Sequence, residues 1–423
     1  MARYERDRDG IVESWEVEVE GTVLWTREGR FWRRPDGTVA GGDLDWVNQP
    51  IRGLFRGIDK ERARVIDQHL GNGFALVDES ALGVASDPAI EARLVDLPSD
   101  DPLWTVYSDW LQQHGDARGA WGAVCDGGNN ADAALAARLQ SQAERELRLH
   151  LGLDHGPSFG WQRGLLAWCS AEPAQLDSLL LHPLGRTLAD ARVRMPGRGF
   201  GRNDMRELAE ILGRYPHLRR LQLCDFEMHE DAELSDVILG ELGPLWPRLT
   251  ELRHLVLQGG LMQLGQLDLP SLQTLTIRTT GLMPESLEAV VRKRPSLTGL
   301  ELWFGRETDA GSHLGPLLSG RHFPSLRALG LCNADFTDEL VAELHTSPLL
   351  PRLRTLDLSR GTLSDEGLDS LLRSRAAYAH LDLFDLSQSC LSPEGVIAAA
   401  VLCKQVIVSD QKGVNERYVS VAE

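Results

Sequence analysis

The chain is short of positive charge. Across 423 residues, 44 lysines and arginines face 62 aspartates and glutamates, a formal charge of −18. A field of that sign repels phosphate backbones, so nucleic acid binds only where a local basic patch overcomes it. Cysteine is sparse too. The six, at 125, 169, 224, 332, 390 and 403, form no CxxC pair and have no histidine at ligand spacing. This excludes a disulfide framework and a cysteine-based zinc site, so the thiols are expected to be reduced and mostly buried, with no metal and no cofactor. Long apolar runs are missing. VIAAAVLC, among the longest, is far too short to span a bilayer, and MARYERDRDG lacks the apolar core of a signal peptide. A cytoplasmic protein with no membrane segment is expected.

Catalytic signatures are absent as well. There is no GxSxG elbow, no HExxH, no Walker loop and no recognisable cysteine–histidine signature. GRGFG at 197–201 reads as an ordinary strand-to-helix connection, and HEDAE at 229 lacks a second histidine. A protein without enzymatic activity is expected.

What is present is a repeat. At this length two or three domains, or an array, are expected. LRTLDLSRGTLSDEGLDSLL at 353–372 aligns with LDLFDLSQSCLSPEGVIAAA at 381–400 in the frame L-x-x-L-x-L, with another apolar residue five positions later. Leu326, Leu329 and Leu331 with Phe336 fit it, so the last three frames start 27 and 28 residues apart. Upstream, frames begin at Leu188, Leu218, Leu252, Leu272 and Leu297, and Val406 with Val408 ends the series. The last two leucines alternate as a one-face strand requires. Thr337, Ser364 and Ser392 then stand at helix N-cap positions, with Pro393 at a first helical position. Leu368, Leu371 and Leu372, like Val396, Ala399 and Ala400, recur at helical spacing.

This pattern resembles the leucine-rich repeat family over residues 175–410. The resemblance implies a solenoid with a parallel concave sheet and convex helices. The column that often carries asparagine in that family holds Thr280, Ala334, Gly361 and Ser389. The repeat at 272 follows its predecessor after 20 residues, leaving room for little or no helix, while the acidic segment 224–247 is overlong and a candidate insert.

YSDWLQQHGDARGAW, 107–121, has the vocabulary of a catalytic site but the grammar of a helical hairpin. Tyr107, Trp110 and Leu111 share one helical face, and Gly115 stands where a left-handed residue ends a helix, behind His114. Asp116 is placed to cap the next helix, with Arg118 pairing back to Asp109. With Gly119, these residues resemble the small bacterial repeat-companion domain that commonly precedes leucine-rich repeats. That resemblance implies an N-terminal cap, residues 81–174, without enzymatic activity. Trp121–Gly122 depart from its usual acidic and apolar run.

Residues 1–80 alternate in SWEVEVEGTVLWTREGRFWRRPDGTV and continue into the helical DKERARVIDQHL, an α+β pattern. Trp15, Gly29 with Arg30, and Gly73 with Phe74 resemble the WGR domain known from poly(ADP-ribose) polymerases. Glu28 replaces the signature tryptophan, which argues against the family's nucleic-acid contact. Against that stands the run Arg27, Arg30, Phe31, Trp32, Arg33 and Arg34, where cations alternate with rings able to stack on bases.

The expected whole is an α/β leucine-rich repeat solenoid, residues 175–423, behind a helical cap and a WGR-like module. Its function is recognition of another protein, as a scaffold, substrate or regulator in a bacterial defence or signalling system. The expected contact residues lie between the leucines, on the concave face: Arg192, Arg194, Arg220, His254, Arg278, Glu301, Trp303 and Asp357. Trp303 is the expected anchor. The alternative is a nucleic-acid sensor using Arg27, Arg30, Trp32, Arg33 and Arg34. It predicts salt-sensitive DNA or RNA affinity that falls when Arg27, Arg30, Arg33 and Arg34 become glutamate. Retention insensitive to that change removes it.

Overall fold

The computed structural model describes residues 2–8, 11–20, 23–33, 39–40, 49–52, 58–72, 75–76, 85–97, 100–127, short pieces within 136–147, and 158–180. It further describes 182–195, 205–215, 217–226, 234–306, 313–413 and 417–421. The chain forms two compact units, Met1–Asp154 and His155–Glu423.

In the first unit, alternating sequence gives an antiparallel sheet. Strands β1 (Ala2–Arg8), β2 (Ile11–Glu20) and β3 (Val23–Arg33) pair in succession. The short β4 (Val39–Ala40) and β5 (Gln49–Arg52) add to β3, and β6 (Ala75–Leu76) adds to β1. Trp15 and Val17 are buried, and Trp15 stacks on His69 of the helix Ile58–Gly71 with centroids 3.7 Å apart. Register sets Arg30 opposite Glu13 and Arg27 opposite Glu16, so two cations of the run face acidic positions one strand away, while Arg33 stands opposite Val39. The side chains of Arg27, Arg30, Trp32 and Arg33, and all of Arg34, Gly73 and Phe74, lie outside the described residues.

Three helices follow: Pro88–Asp96, Asp101–Gln113 and Ala117–Gly127, the first two capped by Asp87 and Asp100. The hairpin closes as its residues predict. Gly115 has φ +72°, and Asp116 accepts the Arg118 amide at 2.9 Å. At Gly119 the two helices approach so closely that a Cβ would stand 2.6 Å from backbone of the preceding helix. Arg118 does not pair with Asp109, which is exposed. Instead its guanidinium turns inward to Asp116 Oδ2 at 2.9 Å and to the Ala85 carbonyl. A buried site needs a partner within it, and Asp109 points to water.

Beside this pair, Tyr107 donates to Glu91 Oε1 at 2.6 Å, and Ser86 donates to its other oxygen at 2.9 Å. Burial pushes the Tyr107 phenol far above its ordinary range, so it stays a donor. Burial disfavours the Arg118 cation, but the hydrogen bonds it donates to Asp116, together with the neighbouring acidic groups of Tyr107, Asp116 and Glu91, outweigh it and the pKa rises. Asp116→Ala is expected to cost about 3–5 kcal/mol by stranding a buried guanidinium. Asp109→Ala should stay within about 0.5 kcal/mol. Urea denaturation of both variants tests the distinction.

In the second unit the leucine frames become one open, eleven-stranded, mostly parallel sheet. It starts with the hairpin β7 (Ser158–Gln162) and β8 (Leu165–Ala171). Parallel strands then add in chain order: β9 (Asp190–Val193), β10 (Arg220–Leu223), β12 (His254–Gln258), β14 (Thr274–Arg278) and β15 (Gly299–Gly305). The last four are β16 (Ala328–Ala334), β17 (Thr355–Asp357), β18 (Leu383–Asp385) and β19 (Val406–Ile407). The unit therefore begins ahead of residue 175, because the β7–β8 hairpin belongs to this sheet although it carries no leucine frame.

Leu221, Leu255, Leu275, Leu300, Leu329, Leu356 and Phe384 pair in register and are fully buried, while the residues between them face the other way. Helices return most strands, among them Thr337–Leu344, Asp365–Arg373 and Pro393–Ala399. Ser364 and Ser392 cap theirs. Thr337 does not: it lies inside its helix, and its hydroxyl instead bonds the Ala334 carbonyl and the Thr362 amide. In the last helix Gly395 joins Ala399 as the buried row, and Ala400 is exposed. In the short repeat before Leu272 no helix forms; β13 (Met262–Gln263) lies there instead and pairs with β11 (Gly240–Glu241) of the overlong segment.

Candidate functional site

Parallel pairing aligns the residues between the leucines into rows across the face opposite the core. One row runs Asp190, Arg220, His254, Thr274, Gly299, Ala328, Thr355 and Leu383. The next runs Arg192, Gln222, Val256, Thr276, Glu301, Gly330, Asp357 and Asp385. Of the expected contact residues, Arg192, Arg220, His254, Glu301 and Asp357 belong to these two open rows.

Charge is graded along them. At one end Arg192 lies 4.3 Å over the Trp168 ring, and Asp190 stands 3.6 Å from Arg192 and 3.8 Å from Arg220. Burial pushes the Asp190 carboxyl up, against the pull of both arginines. His254 accepts or donates at 2.8 Å to Thr274 Oγ1, and burial with Arg220 and Arg253 lowers its pKa, keeping the ring neutral at pH 7. Arg194 is half-buried at this end, 3.5 Å from Gln175 Oε1. At the other end Asp357 and Asp385 are neighbours, each accepting the amide two residues on, from Ser359 and Ser387, at 2.8 Å. Burial raises the Asp357 pKa. Between the ends lies a groove of about 240 Å³, floored by Gly299, Ala328 and Gly330 and bordered by Thr276, Glu301 and Asp357.

The third row, toward the strand ends, is covered. Gln258 is buried and donates to the Phe226 carbonyl at 2.9 Å, and Cys332 and Ser359 are buried. Trp303 belongs here, and its expected role as an exposed anchor is corrected: it is 4% exposed. Its neighbour Phe304 lies on the core side against Phe336. Trp303 packs with Leu234, Cys332, Val421 and Phe226. Its indole donates to Glu301 at 2.9 Å, with Arg278 and Arg360 at 5.6 and 5.0 Å from the ring. Arg278 is held by Glu301 at 3.2 Å. The acidic segment thus supplies two covering residues, Phe226 and Leu234.

The buried thiols of Cys169, Cys224 and Cys332 are poor nucleophiles. Burial pushes Cys169 up to about 12 and raises Cys224 and Cys332 above their ordinary range, so these sulfurs stay protonated. Among the described residues no three His, Cys, Asp or Glu side chains are placed to hold a metal ion, and no helix is long and apolar enough to cross a membrane. The residues that sequence reasoning missed are Glu91, whose carboxylate anchors Tyr107, and Asn333 and Val421 beside Trp303. Trp303→Ala is expected to cost about 3–5 kcal/mol, as removal of a buried ring does. Arg220→Ala, on the open row, should cost under about 1 kcal/mol. Thermal and urea unfolding of the pair measure both.

No family model matches the chain, and no curated protein matches it. A crystal structure of a protein from Bacteroides fragilis, determined by a structural genomics consortium, is similar at a TM-score of 0.52 and 19% identity, with 100% of each chain covered. At that identity the likeness carries the fold alone, a mixed α/β chain with a large, mostly parallel, open sheet.

Proposed function

We propose that this chain is a non-enzymatic recognition protein of leucine-rich repeat type, which binds a protein partner on the open, concave face of its sheet. The observation that carries this reading is the central groove with its small-residue floor, set between an arginine-bearing end and a carboxylate-bearing end of the same two rows. Gly299, Ala328 and Gly330 let a partner's chain approach the sheet. Arg192, propped on Trp168, and Arg278, propped on Glu301, are ordered before binding, which lowers the entropy lost when a complex forms. The polar residues bordering the groove give register and specificity. In this reading the first unit combines a WGR-like module with a repeat-companion cap, and the protein acts by placing its partner.

The test is an affinity experiment on the full chain, immobilised beside a variant carrying Arg192→Glu, Arg220→Glu and Thr276→Arg. All three changes are on open rows, and Asp190→Asn is added because Asp190 pairs with both arginines, so the melting temperature should hold within a few degrees. A protein partner retained from native lysate by the wild type, with or without nuclease, should be lost from the variant by at least about tenfold, the scale of reversed interfacial charges. Equal retention by both would sink the open-face reading.

A further inference from the structure

The cover over Trp303 is itself a bound segment. Residues 417–421 follow the last strand yet pair with no strand of the sheet. They cross the turns that end β16, β17 and the strand after it. Those turns contain left-handed residues, Asn333 (φ 52°), Arg360 (φ 67°) and Gln388 (φ 51°), and this conformation turns polar groups toward the crossing segment. The fully buried Asn333 amide donates to the Val421 carbonyl at 2.7 Å and accepts the Val421 amide at 2.9 Å. One side chain thus satisfies both main-chain groups of one residue, as a neighbouring strand would. The Ser420 amide donates to the Arg360 carbonyl at 2.9 Å.

Side chains are read at alternate positions. Val419 and Val421 are 1% and 2% exposed, whereas Tyr418 is 51% exposed and Ser420 is half-buried. Val421 enters the pocket of Leu234, Trp303 and Cys332. Lys412 fixes the base of the segment, donating to the Gly361 carbonyl at 2.7 Å and to the Tyr418 carbonyl at 2.5 Å. Main-chain capture combined with alternate pockets is how a groove accepts an extended peptide. Nothing in such a reading mode depends on which chain supplies the segment. We propose that the Asn333–Trp303 groove is a peptide slot, filled in cis by Val419 and Val421, whose ligand in trans is an extended segment of another protein with β-branched aliphatic residues at alternate positions. The slot adjoins the open rows at Glu301, which accepts from the Trp303 indole, but the two are probed at different residues. Its failure and theirs are distinguishable, because neither test variant touches the other's residues.

The experiment uses the full-length chain carrying Val419→Ser and Val421→Ser. Two labelled peptides are the probes: ERYVSVAE, which is residues 416–423, and the unrelated SGTVTVSG. Hydrogen exchange across β15, β16 and β17 should stay slow in the variant, while labelling of Cys332 by a thiol reagent rises by roughly tenfold or more. Both peptides should then bind the variant and restore Cys332 protection. The wild type, whose own segment is present at an effective concentration on the order of millimolar, should bind neither at micromolar peptide. Adding Asn333→Ala should remove peptide binding without changing exchange in the strands. The slot is overturned if exchange across β15 to β17 becomes fast, which makes the segment an integral part of the fold. It is equally overturned if Cys332 stays protected, if neither peptide binds, or if ERYSVVAE, with its alternation broken, binds as well as ERYVSVAE. Binding of ERYVSVAE alone would overturn the ligand class.

Discussion

Every other feature of the second unit depends on leucine stacking on leucine in register. From Leu221 to Phe384, neighbouring strands present the same core position to each other, and each such residue is withdrawn from water. Burying one leucine is worth about 1.5–3 kcal/mol, too little to order a strand and a helix alone, so a unit exists only between two others. The same constraint builds the opposite face. Once the leucines are in register, the residues between them are in register too, and the side chains of distant segments become neighbours at about 4.8 Å spacing. A groove that draws on four strands is therefore a by-product of core packing.

The face so built divides into two environments with different demands on sequence. The two open rows tolerate charge because water remains on one side, and there Arg192, Arg220, Asp357 and Asp385 stand half-exposed or exposed. The third row is closed by segments arriving from elsewhere, and Trp303, Cys332 and Gln258 behave as core residues. Glu301 links the two: standing in an open row, it accepts from Arg278 and from the Trp303 indole, both of the third row, with the same carboxylate oxygen. Its position makes it the hinge between a wet surface and a dry one.

Much of this was legible in the residues. Period two in L-x-x-L-x-L placed the strands, the serines at 364 and 392 placed helix starts, and Gly115 with Asp116 placed the helical hairpin. The misses share a physical origin: their partners are remote or carry no period. FGWQRGLLAWCSA reads as the opening of the array, but the β7–β8 hairpin pairs through mixed positions such as Phe159 and Cys169, which no leucine frame marks, so a boundary at 175 falls too late. Arg118 chose Asp116 and Ala85 over Asp109 because burial, which no spacing encodes, decides where a guanidinium can be neutralised. Trp303 has every local mark of a surface residue, and its cover arrives from Leu234 and Val421. The one available signal was the alternation in RYVSV after the last strand. Asn333 left no signal, because its role depends on a left-handed backbone turn and not on a pattern.

A long open sheet whose strands contact only their neighbours frays from its end, each terminal strand melting at the cost of a single interface. The Asn333–Val421 pair changes that, because it ties together residues 88 positions apart. The final strands then cannot peel away one at a time without first releasing the chain that crosses them. Release of that segment leaves the strands themselves paired, so this end of the molecule opens in two steps, the crossing segment first and the terminal strands after it. The same long loop must be closed before that end is complete, so its ordering is a late and slow event in folding.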